Sequence, residues 1–363
     1  MKSQFALETS ESGEFQRQED AFREWISNDG STLYPAVAGR YHLYVSLACP
    51  WASRTVIFRK LKGLEEAIGM TVVDPIRDEK GWAFRDPFGK TPLDAPFISA
   101  DPVNGFHFLS EAYTATDPNF DERVTVPVLW DKETKKIVNN CEDDICRMFN
   151  DAFSAVARNK DVAEPGEAGQ PLQQEGRPAS KETDIRSRPT QPIDPIGCPS
   201  GAERVDLFPK EIEAEHAKLC DFLYANVNNG VYRAGFATRQ RPYEIACKKL
   251  FDALDELEKR LTKSRYLFDD RIVEADWRLF CTLVRFDVVY HGHFKCNIRR
   301  IIDYPNLQGY LMDLYQQSGI AGTVNFDHIK RHYYMTHTEI NPTRIVPIGP
   351  ALDLTSPHGR EKL

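Results

Sequence analysis

The sequence predicts an α/β N-terminal half followed by an all-α C-terminal half, and three observations carry this reading. Short β-rich apolar runs at Tyr41 to Leu47, Met70 to Ile76 and Val124 to Trp130 surround a helical pattern at Val56, Ile57, Leu61 and Leu64. From Pro209 to about Gln317 helical periodicity dominates. Between the two, residues 159–203 hold seven prolines, and no aromatic residue occurs between Phe153 and Phe208. Such a stretch has too little apolar surface to offset the entropy of ordering, so it reads as a disordered insertion.

Taken in order, residues 1–38 read as an extended arm with one amphipathic turn around Phe15, Phe22 and Trp25. The strand from Tyr41 to Leu47 runs into Ala48-Cys49-Pro50-Trp51. Pro50 suits the first helical position, where its missing N–H is not needed, and Gly63 marks the stop. Residues 85–120 are rich in Pro, Gly and Asp and read as irregular. Pro127 interrupts the run Val124 to Trp130, which places it on an edge or at a bend. In the C-terminal half, Ala246, Leu250, Leu254, Leu257 and Leu261 share one face of a helix over Tyr243 to Leu261. The aromatic and proline-rich segment from Phe326 to Pro350 reads as a tail packed over the surface. The expected boundaries are an arm at 1–38, an α/β domain at 39–158, an insertion at 159–206, a helical domain at 207–325 and a tail at 326–363.

Composition narrows the function. The chain has 363 residues, 41% of them hydrophobic, which is enough to build real cores. A net charge of −8 argues against a nucleic-acid partner, which needs a basic face. No apolar run approaches the ~18 residues of a membrane span, and Met1 to Arg23 lacks a hydrophobic signal, so a cytoplasmic protein with no membrane partner is expected. The eight cysteines are scattered and are expected to be reduced.

One of them stands out. Cys49 ends a strand and opens a helix, where free N–H groups and the helix dipole favour negative charge. A thiolate there is expected to have a lowered pKa and to act as a nucleophile; the alternative is an ordinary buried cysteine. No second cysteine lies three residues on, so an external thiol would complete the cycle. Val126-Pro127 adds to the pattern. Strand, Cys-Pro, helix and a later Val-Pro fit the thioredoxin-like arrangement, in which a cis-proline faces the cysteine and the preceding residue offers its backbone to a peptide-like ligand.

Long motifs then point to a family. Tyr41-His-Leu-Tyr-Val-Ser-Leu-Ala-Cys-Pro-Trp-Ala, Asp78-Glu-Lys-Gly-Trp82 and Val124-Thr-Val-Pro-Val-Leu-Trp-Asp resemble the glutathionyl-hydroquinone reductases, the Xi class of glutathione transferases. Asn228-Asn-Gly-Val-Tyr-Arg-Ala-Gly-Phe236, His293-Phe-Lys-Cys-Asn297 and Phe326-Asp-His-Ile-Lys-Arg-His-Tyr-Tyr334 continue the likeness, which spans nearly everything except the insertion. The resemblance implies a glutathione transferase fold, a thioredoxin-like domain followed by a helical one, and a homodimer. It implies Cys49 as catalytic nucleophile, glutathione as co-substrate, a small aromatic or quinol substrate, and no metal. The implied reaction removes glutathione from a glutathionyl-hydroquinone through a mixed disulfide on Cys49.

Residue by residue, the resemblance assigns Trp82, Arg123 and the backbone of Val126 to the glutathione pocket. It assigns Tyr232, Tyr290 and Tyr333 to the aromatic site, where phenolic hydroxyls can hydrogen-bond a quinol oxygen. Read without it, the three are ordinary half-buried tyrosines. The chain departs from the family at Cys141-Glu142, where a Glu-Ser pair holds the γ-glutamyl end of glutathione. Glu142 stands where a hydroxyl should receive the ligand's carboxylate. Like charges ~4 Å apart in a partly buried site repel by a few kcal/mol, or ~100-fold in affinity, so weak glutathione binding is expected. Val273 replaces the Thr of a capping Thr-x-x-Asp, which is expected to leave Asp276 without its partner. Val288 and His291 flank Tyr290 and are expected to reshape the aromatic pocket. Two rivals follow: an enzyme on the same scaffold that uses another thiol, and an aromatic-binding protein without turnover. Spaced histidines at 328, 332 and 337, and at 291 and 293, resemble metal ligands, but no Glu or Cys completes either set.

Overall fold

The structure, a computed structural model, describes residues 8, 10, 12–78, 80–85, 99–153 and 206–363, all within one compact unit. The proline-rich insertion expected at 159–206 falls outside the described residues except for its last position.

A four-stranded mixed sheet organises the N-terminal half. Its strands are β3 (Tyr41–Val45), β4 (Gly69–Val72), β5 (Val128–Asp131) and β6 (Lys136–Asn139), in the order β4-β3-β5-β6. β3 pairs parallel to β4, with Leu43 opposite Met70, and antiparallel to β5, with Leu43 opposite Leu129. Every residue of β3 is buried, as a central strand covered on both faces requires. Two short strands precede the sheet, β1 (Ile26–Ser27) and β2 (Tyr34–Pro35), so the expected arm carries a little regular structure. β5 begins only after Pro127, which cannot donate to a ladder.

Helix α1 (Pro50–Leu61) starts at Pro50 and is followed by Gly63 at φ +62°, as its sequence signals indicate. The expected irregular stretch contains a short helix, α2 (Ser110–Thr116). Helix α3 (Glu142–Asp151) follows β6, with Glu142, Asp143 and Asp144 in its first turn, where the dipole favours them.

Helices α4 (Glu213–Leu223), α5 (Gly230–Gly235), α6 (Gln240–Arg260), α7 (Glu274–Arg285), α8 (Pro305–Tyr315) and α9 (Phe326–Thr336) build the C-terminal half. All twelve residues of α7 are buried, including Glu274, Asp276, Arg278 and Arg285. Charged groups at that depth need partners, and each has them. The expected loss of a partner for Asp276 is not observed. Its carboxylate accepts from the backbone N–H of Val273 (2.8 Å) and Leu267 (2.9 Å) and from the Tyr310 hydroxyl (2.8 Å). Valine removes only the side-chain half of the cap, and neighbouring donors keep the aspartate satisfied. The expected surface tail from Phe326 also proves different: its first eleven residues are α9, capped by the Asn325 side chain accepting from the His328 N–H at 2.9 Å.

Candidate active site

Cys49 occupies the N-cap of α1, and the Ser53 N–H donates to its carbonyl at 2.9 Å. Its Sγ lies 3.7 Å from the Val126 carbonyl oxygen, across a Val126-Pro127 peptide that is cis. The thiol and the Val-Pro turn therefore meet as the thioredoxin-like pattern requires. The expected lowering of its pKa is not found. The backbone N–H groups of Trp51 and Ala52 and the cations Arg285 and Arg17 pull the thiol down, but burial outweighs them and pushes it up. The helix terminus acts in the expected direction; the sulfur is too poorly hydrated for it to prevail. The Val126 carbonyl is an acceptor for a protonated S–H.

The segment carrying the cysteine is held from α7. Arg285, 1% exposed, donates through Nε to the Ala48 carbonyl (2.9 Å) and through Nη2 to the Leu47 carbonyl (3.0 Å) and the Ser53 hydroxyl (2.5 Å). Its Nη1 also donates to the carbonyl of Cys281 at 2.8 Å, within its own helix.

The three tyrosines come together. The hydroxyl of Tyr333 contacts those of Tyr232 (2.5 Å) and Tyr290 (2.9 Å), and all three lie in one aromatic cluster with Phe236 and Phe294. Tyr290 and Tyr333 are almost fully buried, whereas Tyr232 is half-buried and faces Trp51, 6.3 Å between ring centres. A thiolate at Cys49 would push the Tyr232 hydroxyl up, which links the cluster to the sulfur. Tyr290 closes a π-turn at Phe286–Tyr290, a distortion frequent at functional sites. Gly235 is required by packing: a Cβ there would meet the Phe294 ring at 2.2 Å. Of the flanking residues expected to reshape the pocket, Val288 is buried and its carbonyl accepts from the Tyr334 hydroxyl at 3.4 Å, while His291 is half-buried.

Trp82 is buried and stacks on His332 at 5.1 Å, with the Arg77 guanidinium 4.8 Å from its ring. Arg123 pairs with Glu8 of the N-terminal arm. Cys141 is the N-cap of α3, its thiol pushed up to about 12 by burial and by the Glu142 charge. Glu142 is not an isolated carboxylate: Arg54, 2% exposed, donates to it at 3.1 Å and also pairs with Asp143 and Glu274. Burial and Asp143 still push the Glu142 carboxyl up to about 7.

Sequence reasoning missed Arg54, Arg278, Glu274, Arg285 and Asp20. Asp20, from the arm, brings its carboxylate to Cys141 and Glu142, with ligand atoms all within 4.8 Å of one another. Nothing local distinguishes these residues; each matters through a partner far along the chain. Three of the spaced histidines are engaged otherwise: His293 contacts His337 at 3.1 Å and His332 contacts the Pro75 carbonyl at 2.6 Å. His216, Cys220 and Glu274 do cluster within 4.8 Å, but Glu274 is already held by Arg54 and Arg278.

A thioredoxin-like sheet with an N-cap cysteine, a facing cis-proline and an appended helical half define a glutathione transferase. The N-terminal domain of glutathione S-transferase matches residues 48–152, and the C-terminal domain matches residues 224–311. The chain is 44% identical to the glutathionyl-hydroquinone reductase YqjG of Escherichia coli, over 97% of this chain and 94% of that protein. It is 41% identical to the glutathionyl-hydroquinone reductase PcpF of Sphingobium chlorophenolicum, over 95% and 92%. Among solved structures, glutathione-bound YqjG aligns with a TM-score of 0.77 at 43% identity, covering 93% of this chain and 96% of that one. The Xi-class transferase of Phanerochaete chrysosporium aligns at 0.76 with 42% identity, covering 93% and 97%. The chain belongs to the glutathionyl-hydroquinone reductase family, the Xi class of glutathione transferases. No helix among the described residues is long and apolar enough to cross a membrane.

Proposed function

We propose that this protein reductively removes glutathione from glutathionyl-hydroquinones, with Cys49 as nucleophile and glutathione as co-substrate. The observation that carries the proposal is the joining of Cys49, through Trp51 and Tyr232, to a hydrogen-bonded trio of tyrosines. A sulfur nucleophile beside convergent phenolic donors suits an aromatic thioether bearing quinol oxygens.

In the first step the Cys49 sulfur loses its proton and attacks the glutathione sulfur. The S–S bond forms as the carbon–sulfur bond breaks; its electron pair passes to the ring carbon, which takes up a proton, and hydroquinone leaves. Tyr232, Tyr290 and Tyr333 orient the quinol oxygens and offer protons to charge that builds there. A second glutathione then attacks the mixed disulfide, releasing oxidised glutathione and the Cys49 thiolate. Because burial holds the resting thiol up, deprotonation depends on the N–H groups of Trp51 and Ala52 and on the nearby cations. Trp82, Arg123 and the Val126 backbone hold glutathione in this reading, with Cys141 and Glu142 at its γ-glutamyl end.

Turnover of a glutathionyl-hydroquinone with glutathione, for wild type and Cys49→Ser, tests this. Wild type is expected to release hydroquinone and oxidised glutathione in equal amounts, and Cys49→Ser to lose activity with its fold intact. Turnover that survives in Cys49→Ser would refute it.

A further inference from the structure

The cationic side of the Cys49 site already holds a carboxylate, and it is the chain's own. Glu8 is 2% exposed and pairs with Arg123 through one oxygen. Its other oxygen, Oε2, is buried and has no hydrogen-bond partner among the described residues. The arm that brings it is anchored: the Gln16 N–H donates to the Glu8 carbonyl at 2.6 Å, and the Thr238 N–H donates to the Gly13 carbonyl at 3.2 Å. The same arm places Phe15 against Tyr232, ring centres 6.3 Å apart. It also sets the Arg17 guanidinium 4.6 Å from the Trp51 ring and 5.0 Å from that of Tyr232. Burial raises the Glu8 carboxyl, and Arg123, Arg17 and Arg77 act against that rise; Arg17 also pulls the Cys49 thiol down. Arg123 therefore contacts this carboxyl directly, and two further guanidinium groups, those of Arg17 and Arg77, act on it electrostatically.

A buried carboxylate with one oxygen unmet is a poor occupant of such a place. Ligand carboxylates bind guanidinium groups best through both oxygens, so one that satisfied both would replace it at a gain. We infer that Glu8 is a specificity-determining residue, an internal carboxylate seated on Arg123 that a ligand carboxylate must displace to engage the Cys49 site. Ligands with that carboxylate exchange one ion pair for another; neutral ligands leave Glu8 where it is. The inference rests on the proposed reading of Cys49 and its glutathionyl ligand. Two sources of the carboxylate share this chemistry: the glycyl end of glutathione, or a carboxylate on the aromatic ring.

Calorimetric titration of wild type, Glu8→Gln and Glu8→Ala with glutathione and with its glycyl monoethyl ester tests the inference. Turnover of glutathionyl-hydroquinone with and without a ring carboxylate is measured on the same proteins. Both variants are expected to bind the acid about tenfold tighter or more than wild type, since one charge-assisted pair no longer has to be broken, with the ester unchanged. A gain confined to the ring-carboxylate substrate, read as a lower KM, supports the inference and assigns the carboxylate to the ring. Equal glutathione affinities together with equal KM values for the ring-carboxylate substrate in all three proteins, or equal gains for acid and ester, would overturn it. Failure of the wild type to turn over any glutathionyl-hydroquinone would instead refute the reading of Cys49, whatever Glu8 does.

Discussion

Replacing Arg285 with lysine should loosen the catalytic loop while preserving its charge. The guanidinium serves four acceptors at once, the carbonyls of Leu47, Ala48 and Cys281 and the Ser53 hydroxyl, at 2.5 to 3.0 Å. A lysine ammonium is a point donor on a flexible stem and cannot reproduce that fork. About two buried acceptors are then left unmet, at about 1–3 kcal/mol each, for a loss of about 2–6 kcal/mol. Typical domains are stable by about 5–15 kcal/mol, so the urea midpoint should fall clearly. Turnover should fall as well, because Leu47 and Ala48 lead directly into Cys49. Arg285→Gln goes further by removing a cation that pulls the thiol down, so the pH midpoint of iodoacetamide reaction at Cys49 should rise in that variant and hold nearly steady in the lysine one. A lysine variant equal to wild type in both urea midpoint and turnover would refute the clamp. An unchanged iodoacetamide midpoint in Arg285→Gln would refute its electrostatic part.

At the γ-glutamyl end, Cys141→Glu with Glu142→Ser should tighten glutathione by roughly tenfold or more, since a carboxylate is exchanged for a hydroxyl donor. Glutathione affinity of the wild type should also rise from pH 8 to pH 6, as the Glu142 carboxyl, raised to about 7, takes up a proton; calorimetry showing the same pH response in the double variant would count against this. The buried imidazoles of His42, His293 and His332 are held neutral by burial, with pKa values lowered to about 4, 4 and 3. Below about pH 6.5 the unfolded chain takes protons the folded one refuses, so these residues contribute stability that is complete above 6.5 and lost as pH falls toward 4, at up to about 1.4 kcal/mol per pH unit each. Histidine NMR should show their rings silent from pH 8 to 5, and a ring titrating near 6.5 would contradict the assignment.

The strand, the Cys49-Pro50 junction and the helix after it were legible because alternation, a proline at the first helical turn and a terminal glycine are local signals. Helix α2 was hidden by its setting: seven residues inside a Pro, Gly and Asp-rich stretch give too few turns for a period to register. The strand β6 was missed for a similar reason, four residues beyond a charged turn. Helix α9 had a usable mark, Asn325 as its cap, which its aromatic content obscured. The tyrosine trio was found through motifs and not through periodicity. Arg285 acts on a carbonyl 237 residues away, and Glu8 on a guanidinium 115 away; no pattern along the chain encodes such a pairing.

The pairing of the buried Arg54 with Glu142, Asp143 and Glu274 joins helices α1, α3 and α7, and Arg278 also reaches Asp143 and Glu274. Transferase halves look like interchangeable parts, yet here they are not. An N-terminal half grafted onto helices that lack these residues would carry Arg54 into the interface without Glu274, and would present the carbonyls of Leu47 and Ala48 to a helix with no guanidinium to meet them. A stranded buried charge of this kind costs about 3–5 kcal/mol. Chimeras that exchange these halves should therefore succeed only when Arg54, Glu274, Arg278 and Arg285 are all present.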